Sequence, residues 1–245
     1  MNYFVSPPKV GTTWVLHMLM SYQILREGKE LKGCLRAKKG FGWQLKKDNG
    51  DYLFKLLSND IANWVRPDPE IDFKNDDKLV FMVRGIKDTL VSTYFHVTAE
   101  RQFKPFKPAP YSGTISEMMR NPKFGIKRLI DFYNKWDNKL SDINNIFLVY
   151  EEVKKDPYTT LKKLIKFLDI PYNEEYIKEA VDFSSFENMQ KQEKEYRNTI
   201  GKSLDTDKFR ARRGEIGSYK DYLSKDDINF IDNYIKKYSK SSLVY

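Results

Sequence analysis

Asn2-Tyr3-Phe4-Val5-Ser6-Pro7-Pro8-Lys9-Val10-Gly11-Thr12-Thr13-Trp14-Val15-Leu16-His17-Met18-Leu19-Met20-Ser21-Tyr22 is the stretch on which the fold turns. Asn2 to Ser6 is short and apolar and runs into Pro7-Pro8, so it reads as a buried strand ending in a turn. From Thr12 to Glu27 the residues Trp14, Val15, Met18, Leu19, Tyr22 and Leu25 recur at helical spacing, which predicts a helix with one buried face. Between strand and helix, Gly11 permits a tight turn. The first amides of the helix have no partner inside it, and with the helix dipole they form a site for an anion. Thr12 and Thr13 add hydroxyl donors and Lys9 adds a charge. In a Walker A loop the lysine follows the second glycine, whereas here Lys9 precedes Gly11, so nucleoside-triphosphate hydrolysis is a poor fit. The same residues also make an ordinary strand–helix turn with a threonine N-cap.

Working outward, Lys78 to Arg84 reads as a second buried strand with Leu79, Val80, Phe81, Met82 and Val83 at its centre, and Asn145 to Tyr150 as a third. Helices are expected over Lys87 to Arg101, Thr114 to Arg120, Phe124 to Leu140, Tyr158 to Leu168, Glu174 to Val181, Phe183 to Glu195 and Lys225 to Tyr238. Asp51 to Trp64 also looks helical, and Arg66-Pro67-Asp68-Pro69 breaks any helix there. Phe103 to Gly113 holds three prolines and reads as a loop. Strands that alternate with helices imply parallel βαβ units. The expectation is a three-layer, P-loop-like α/β fold with a central parallel sheet flanked by helices, formed by residues 1–245 as a single domain. Ligands of such sheets sit beyond the carboxyl ends of the strands, where Lys9, Arg84 and Tyr150 fall.

The chain has 245 residues, 40% hydrophobic and 15% aromatic, enough to bury a core. No run of about 18 apolar residues is present, so a membrane-spanning helix is excluded, and no secretory signal is visible. The single cysteine, Cys34, rules out an internal disulfide and a cysteine-rich zinc site. No metal-ligand spacing occurs elsewhere. A reducing, cytoplasmic location is expected. The net charge of +9 calls for an anionic partner (nucleic acid, an acidic membrane or a small polyanion), or else reflects a lysine-rich solubilising surface.

Lys9-Val10-Gly11-Thr12-Thr13-Trp14 resembles the 5′-phosphosulfate loop, P-K-S-G-T-T-W, of the sulfotransferase family, with Val10 in place of serine. Val83-Arg84-Gly85-Ile86-Lys87-Asp88-Thr89-Leu90-Val91-Ser92 is similar to the family's 3′-phosphate segment, in which an arginine and a serine eight residues apart bind that phosphate; Arg84 and Ser92 are the matching pair. A planar guanidinium suits phosphate oxygens, although Arg84 could instead pair with a carboxylate such as Asp88. Arg210-Ala211-Arg212-Arg213-Gly214-Glu215-Ile216-Gly217-Ser218-Tyr219-Lys220 resembles the R-K-G-x-x-G-x-W-K loop, so Arg212, Arg213 and Gly214 map onto residues that close over the 3′-phosphate; read by itself the segment is a solvated basic loop. Val149 to Val153 with Asp156-Pro157, and Ser184-Ser185-Phe186 with Met189, resemble two further family elements. By that resemblance Trp14, Tyr150, Ser184 and Phe186 surround an adenine, although aromatics of this kind also serve as ordinary core. The resemblance runs from Phe4 to about Tyr222 and is best for the cytosolic type. It implies 3′-phosphoadenosine 5′-phosphosulfate (PAPS) as donor, adenosine 3′,5′-bisphosphate (PAP) as product, a small-molecule acceptor, and no metal, nucleic acid or membrane.

The resemblance implies in-line sulfuryl transfer with Lys9 stabilising the leaving phosphate. The acceptor must also lose a proton. Cytosolic members use a K-T-H motif for this, and the corresponding stretch here, Ser58 to Pro67, lacks both the histidine and the lysine. The chain has two histidines, His96 one turn after Ser92 and His17 one turn beyond Thr13. Each fits either a general base or a packed or surface residue. Glu27, Glu30 and Asp60 are further carboxylate candidates. Family members carry an N-terminal segment before the phosphosulfate loop that helps wall the acceptor pocket. Here Gly28 to Asp77 must supply that wall, with the proline-rich loop and the aromatics Phe41, Trp43, Tyr52, Phe54 and Trp64. The family's dimer element, K-x-x-x-T-V-x-x-x-E, keeps only Lys220, with Ser224, Lys225 and Asn229 elsewhere, so a monomer or a different dimer is expected. The competing expectations are a catalytically inactive protein that binds PAPS or PAP, a basic nucleic-acid-binding protein, and a nucleotide kinase.

Overall fold

Alternate side chains of the first strand leave in opposite directions, and both directions are dry. In β1 (Asn2–Val5) Phe4 enters one hydrophobic core, while Tyr3 and Val5 enter another on the opposite face. β3 (Lys78–Val83) repeats the pattern, with Val80 and Met82 on the first side and Leu79, Phe81 and Val83 on the second. Burial on both faces is the reason these strands are near-continuous apolar runs and not alternating ones. The structure, a computed structural model, describes residues 2–32, 55–57, 73–98, 111–199, 201, 204–205, 209 and 211–244.

Among those residues the sheet has four parallel strands in the order β2 (Lys55–Leu57), β1, β3, β4 (Asn144–Val149). Tyr3 lies opposite Lys55 on one side and Leu79 on the other, and Val80 lies opposite Ile146. The expected three-layer α/β arrangement is therefore present. On the first face pack α1 (Thr12–Arg26), α6 (Pro157–Phe167) and α7 (Glu174–Phe183). On the second pack α2 (Ile86–Thr98), α3 (Ile115–Arg120), α4 (Ile126–Leu140) and α9 (Lys225–Tyr238).

The predicted helix over Asp51 to Trp64 is overturned at Lys55–Leu57, which is strand β2 paired with β1. The backbone of β1 needs partners on that side, and tertiary pairing overrides local propensity. The remainder of that segment lies outside the described residues. So do Ser58 to Pro67, Cys34, the wall aromatics, Arg210, and the proline-rich loop up to residue 110. One short element is not expected from sequence, α5 (Tyr150–Lys155), and the helix expected over Phe183 to Glu195 is α8 (Phe186–Thr199). The threonine N-cap is also overturned. Gly11 caps α1 at φ 100°, with no side-chain cap bond, and the Thr12 hydroxyl lies 2.6 Å from that of Ser6 instead.

β1 is followed on one side by β2 and on the other by β3, so the chain reverses its direction of travel across the sheet at β1. A crevice beyond the carboxyl ends of the strands forms at such a point. The turn after β1 and Arg84 after β3 both border it.

Candidate active site

The turn after β1 carries two left-handed residues, Lys9 at φ 71° and Gly11 at φ 100°. A lysine held there is strained, and such strain collects where backbone must point at a ligand. At Gly11 the reason for glycine is also steric, because a Cβ would lie 2.6 Å from the Tyr150 ring. The first intrahelical bonds of α1 run from Trp14 and Val15 to the Gly11 carbonyl. Thr12 and Thr13 thus sit at positions whose amides the helix itself does not use.

Arg84 crosses from β3 to this turn. Its Nη1 donates to the Lys9 carbonyl at 3.4 Å and its Nη2 to the Glu215 carbonyl at 3.1 Å, and its guanidinium lies 4.3 Å over the Tyr150 ring. It is 9% exposed, and its buried Nε has no hydrogen-bond partner among the described residues. The alternative pairing of Arg84 with Asp88 is not what the fold uses. Asp88 accepts instead from the Gly217 amide at 2.7 Å and the Tyr219 amide at 3.0 Å.

Tyr150, the first residue of α5, is the common neighbour. Its ring abuts Gly11, supports Arg84 and meets Trp14 edge-on at 6.0 Å, and its hydroxyl donates to the Gly214 carbonyl at 3.0 Å. Burial pushes its phenol up, opposed by the Arg84 charge. Trp14 donates Nε1–H to the Ser184 carbonyl at 2.8 Å. Gly214, at φ 66°, rests on the Phe186 ring so closely that a Cβ would fall 2.8 Å from it. Six of the residues read from sequence (Gly11, Trp14, Arg84, Tyr150, Phe186 and Gly214) therefore form one connected cluster at the strand ends.

The basic loop closes that cluster. Arg212 lies with its guanidinium 3.9 Å from the centre of the Phe95 ring on α2 and donates to the Tyr222 hydroxyl at 2.8 Å. Arg213 pairs with Asp221 at 2.6 Å. Ser92 and His96 lie one turn apart on α2 and are both half-buried.

Two residues read from sequence stand in a different setting. Ser184 is 0% exposed and its hydroxyl lies 2.7 Å from His17 Nδ1; its outward contribution is its carbonyl, bonded to Trp14. His17 is 2% exposed, stacked on Phe183 at 5.6 Å, with Nε2 3.1 Å from Gln192 Oε1. Both of its ring nitrogens are engaged in a buried network, which is the packed alternative among the two roles open to it.

Sequence reasoning missed the residues that hold the loop. Gln190 on α8 donates to the Ala211 and Arg212 carbonyls at 2.9 and 3.0 Å, buried Glu193 accepts from the Ala211 amide, and Lys154 donates to the Gly214 carbonyl. No local sequence signal marks them; only the fold shows that the buried residues of α8 are polar, Gln192 and Glu193. A buried polar helix face implies partners.

The sulfotransferase domain family matches residues 68–242, more than half of the chain, and the chain belongs to the sulfotransferase family. Cytosolic sulfotransferase 5 of Arabidopsis thaliana is 28% identical over 175 residues, covering 67% of this chain and 52% of that protein. The chain thus spans about half the length of that plant relative. Sulfotransferase 1 family member D1 of Mus musculus is 24% identical over 97% of this chain and 83% of its own length. Among solved structures, mouse sulfotransferase SULT7A1 complexed with PAP superposes with a TM-score of 0.61 at 20% identity, covering 99% of this chain and 86% of that one. Retinol dehydratase in complex with androsterone and inactive cofactor PAP gives 0.65 at 15% identity, covering 100% and 82%. The fold is shared with both.

Proposed function

We propose that this chain, acting as a single domain, transfers the sulfuryl group of PAPS to a hydroxyl or amine of a small-molecule acceptor and releases PAP. The observation that carries this reading is Arg84: a buried guanidinium with an unfilled Nε donor among the described residues, beside a strained helix-opening turn that contributes Lys9, Thr12 and Thr13. Two anion-seeking features at one crevice suit a ligand with two separated phosphates. Membership of the sulfotransferase family and the PAP bound in solved relatives of the same fold support the choice of ligand.

In this scheme the loop amides and Thr13 hold the 5′-phosphate. Arg84, Ser92, Arg212, Arg213 and the Gly214 backbone take the 3′-phosphate, and Trp14 and Phe186 flank the adenine. Tyr150 and Ser184 act from beneath, Tyr150 as the support of Arg84 and Gly214, and Ser184 as the carbonyl that orients Trp14. The acceptor atom attacks sulfur in line as the bond from sulfur to the bridging oxygen breaks. Negative charge grows on the 5′-phosphate, where the Lys9 ammonium meets it. The acceptor proton passes to a base. His96, half-buried one turn beyond Ser92, is the histidine proposed for that step, since His17 is committed to Ser184 and Gln192. Relatives named as cytosolic sulfotransferases support a cytoplasmic setting for the reaction.

Calorimetric titration with PAP, against ADP and 5′-AMP as controls, tests the donor site. Tight binding that needs the 3′-phosphate is expected, and equal affinity for all three would overturn the reading. Transfer of labelled sulfate to an acceptor panel then separates an enzyme from a protein that only binds the nucleotide. Loss of transfer with retained PAP binding in His96→Ala assigns the base, and full transfer removes it.

A further inference from the structure

We infer that Asp88 is a positioning residue for the donor nucleotide, a buried clasp that sets the basic loop in register with α2. The inference rests on the proposed PAPS site and goes beyond it. Asp88 occupies the first turn of α2 and is 5% exposed. Its carboxylate faces the far end of the loop and accepts from the Gly217 amide at 2.7 Å and the Tyr219 amide at 3.0 Å, with the Ser218 hydroxyl at 3.5 Å. Gly217 sits at φ 78°, so its amide is directed by a turn that few other residues adopt. Charge-assisted bonds to backbone amides in a buried place are strong and directional.

The geometry gives this clasp a purpose that a purely structural contact would lack. Asp88 and Ser92 lie one turn apart on one face of α2, and Arg212 stacks on Phe95 in the turn that follows. The loop is thus tied along α2 on either side of Ser92, by Asp88 at one end and Phe95 at the other. Arg84 donates to the Glu215 carbonyl between those ties. The loop's other tethers run to α8 through Gln190 and Glu193, and to α5 through Tyr150 and Lys154 at the Gly214 carbonyl. If Asp88 releases Gly217 and Tyr219, the loop stays attached to α8 and α5 by Ala211, Arg212 and Gly214 but loses its fixed register against Arg84 and Ser92 from Glu215 onward. Asp88 itself touches no part of the nucleotide in this arrangement; it acts through the loop.

The test uses the full chain carrying Asp88→Ala or Asp88→Asn, titrated with PAP and with 5′-AMP. For Asp88→Ala the PAP affinity is expected to fall at least about tenfold, the loss of two charge-assisted bonds that hold the loop, while 5′-AMP changes by less than about twofold. Asp88→Asn keeps the shape and one acceptor oxygen and should fall between the two; it decides the matter if the alanine variant does not fold. A second readout needs no nucleotide: trypsin cleavage after Arg212 and Arg213 should speed up several-fold in either variant. Unchanged cleavage together with an unchanged ratio of PAP to 5′-AMP affinity would overturn the assignment, as would an equal loss for both nucleotides. A wild-type chain that does not distinguish PAP from 5′-AMP would instead sink the donor-site reading, while the trypsin result would still report on the clasp.

Discussion

At the scale of single residues, the turn after β1 carries the sharpest predictions. Lys9→Ala removes the cation proposed to meet charge on the leaving phosphate and leaves the two cores intact. Transfer should fall at least about a hundredfold, as when an electrostatic donor to a transition state is deleted, with far-UV dichroism unchanged. Wild-type turnover in that variant would remove Lys9 from the mechanism. Gly11 gives a structural prediction beside it. A methyl at Gly11 would meet the Tyr150 ring at 2.6 Å on a backbone at φ 100°, whereas one at Gly28, at φ 67°, would meet nothing within 4 Å. Both alanine variants carry the left-handed penalty of about 1 kcal/mol. Only Gly11→Ala adds overpacking, for a total of about 2 kcal/mol or more in urea unfolding. Equal losses at the two glycines would mean that the Tyr150 contact contributes nothing.

At the scale of elements, α9 shows how the chain fastens its last helix to the α2–α4 face. Ser224 and Asp227 form a reciprocal capping box, and Asp227 reaches further, accepting from Ser116 and Arg120 of α3 at 2.7 Å each. Burial alone would raise the Asp227 carboxyl, but the bonds from Ser116, Arg120 and Ser224 outweigh it and hold it below the ordinary carboxylate range. A depressed folded-state pKa adds stability that is complete above the unfolded value near 3.9 and disappears as pH falls through the folded value. Asp227→Asn, which cannot ionise, should therefore be less stable than wild type by about 1–3 kcal/mol at pH 7. The gap should close as denaturation is repeated at decreasing pH below about 4. A gap that stays constant down to pH 2 would mean that the charge on Asp227 plays no part. Ser224, which aligns with the threonine of the family's dimer element, is the cap of this helix.

At the scale of the whole molecule, what could be read from sequence is what repeats or what is local. Phe4 and Val80 lie in strand segments apolar enough to give away burial on both faces, and the residues at their carboxyl ends then follow from the parallel topology. Lys55–Leu57 was misread because three residues of strand carry no period of their own; only β1 makes them a strand. Residue type alone does not tell which side of a wall a side chain occupies: Ser184 is fully buried with its hydroxyl on His17, and His17 takes the packed one of the two roles open to it. Asp88, close in sequence to Arg84, bonds instead to the Gly217 and Tyr219 amides of the loop, 129 and 131 residues away. Such long-range polar pairing is invisible to local pattern. It also means that the proposed two-phosphate site draws on many parts of the fold: β1, β3, α2, α5, α8 and the loop that precedes α9. A ligand that engages all of these should stabilise the chain as one unit. PAP at a hundred times its dissociation constant is expected to add about 2.7 kcal/mol to the unfolding free energy. In a thermal scan the midpoint should rise by about 2–4 °C per kcal/mol for a chain of this size. Raising the salt should shrink the shift at fixed PAP concentration, since screening weakens attraction between the anion and the arginines. ADP, which lacks the 3′-phosphate, should move the midpoint far less at the same concentration. A shift of equal size from both nucleotides, insensitive to salt, would mean that Arg84 and the basic loop do not read the 3′-phosphate.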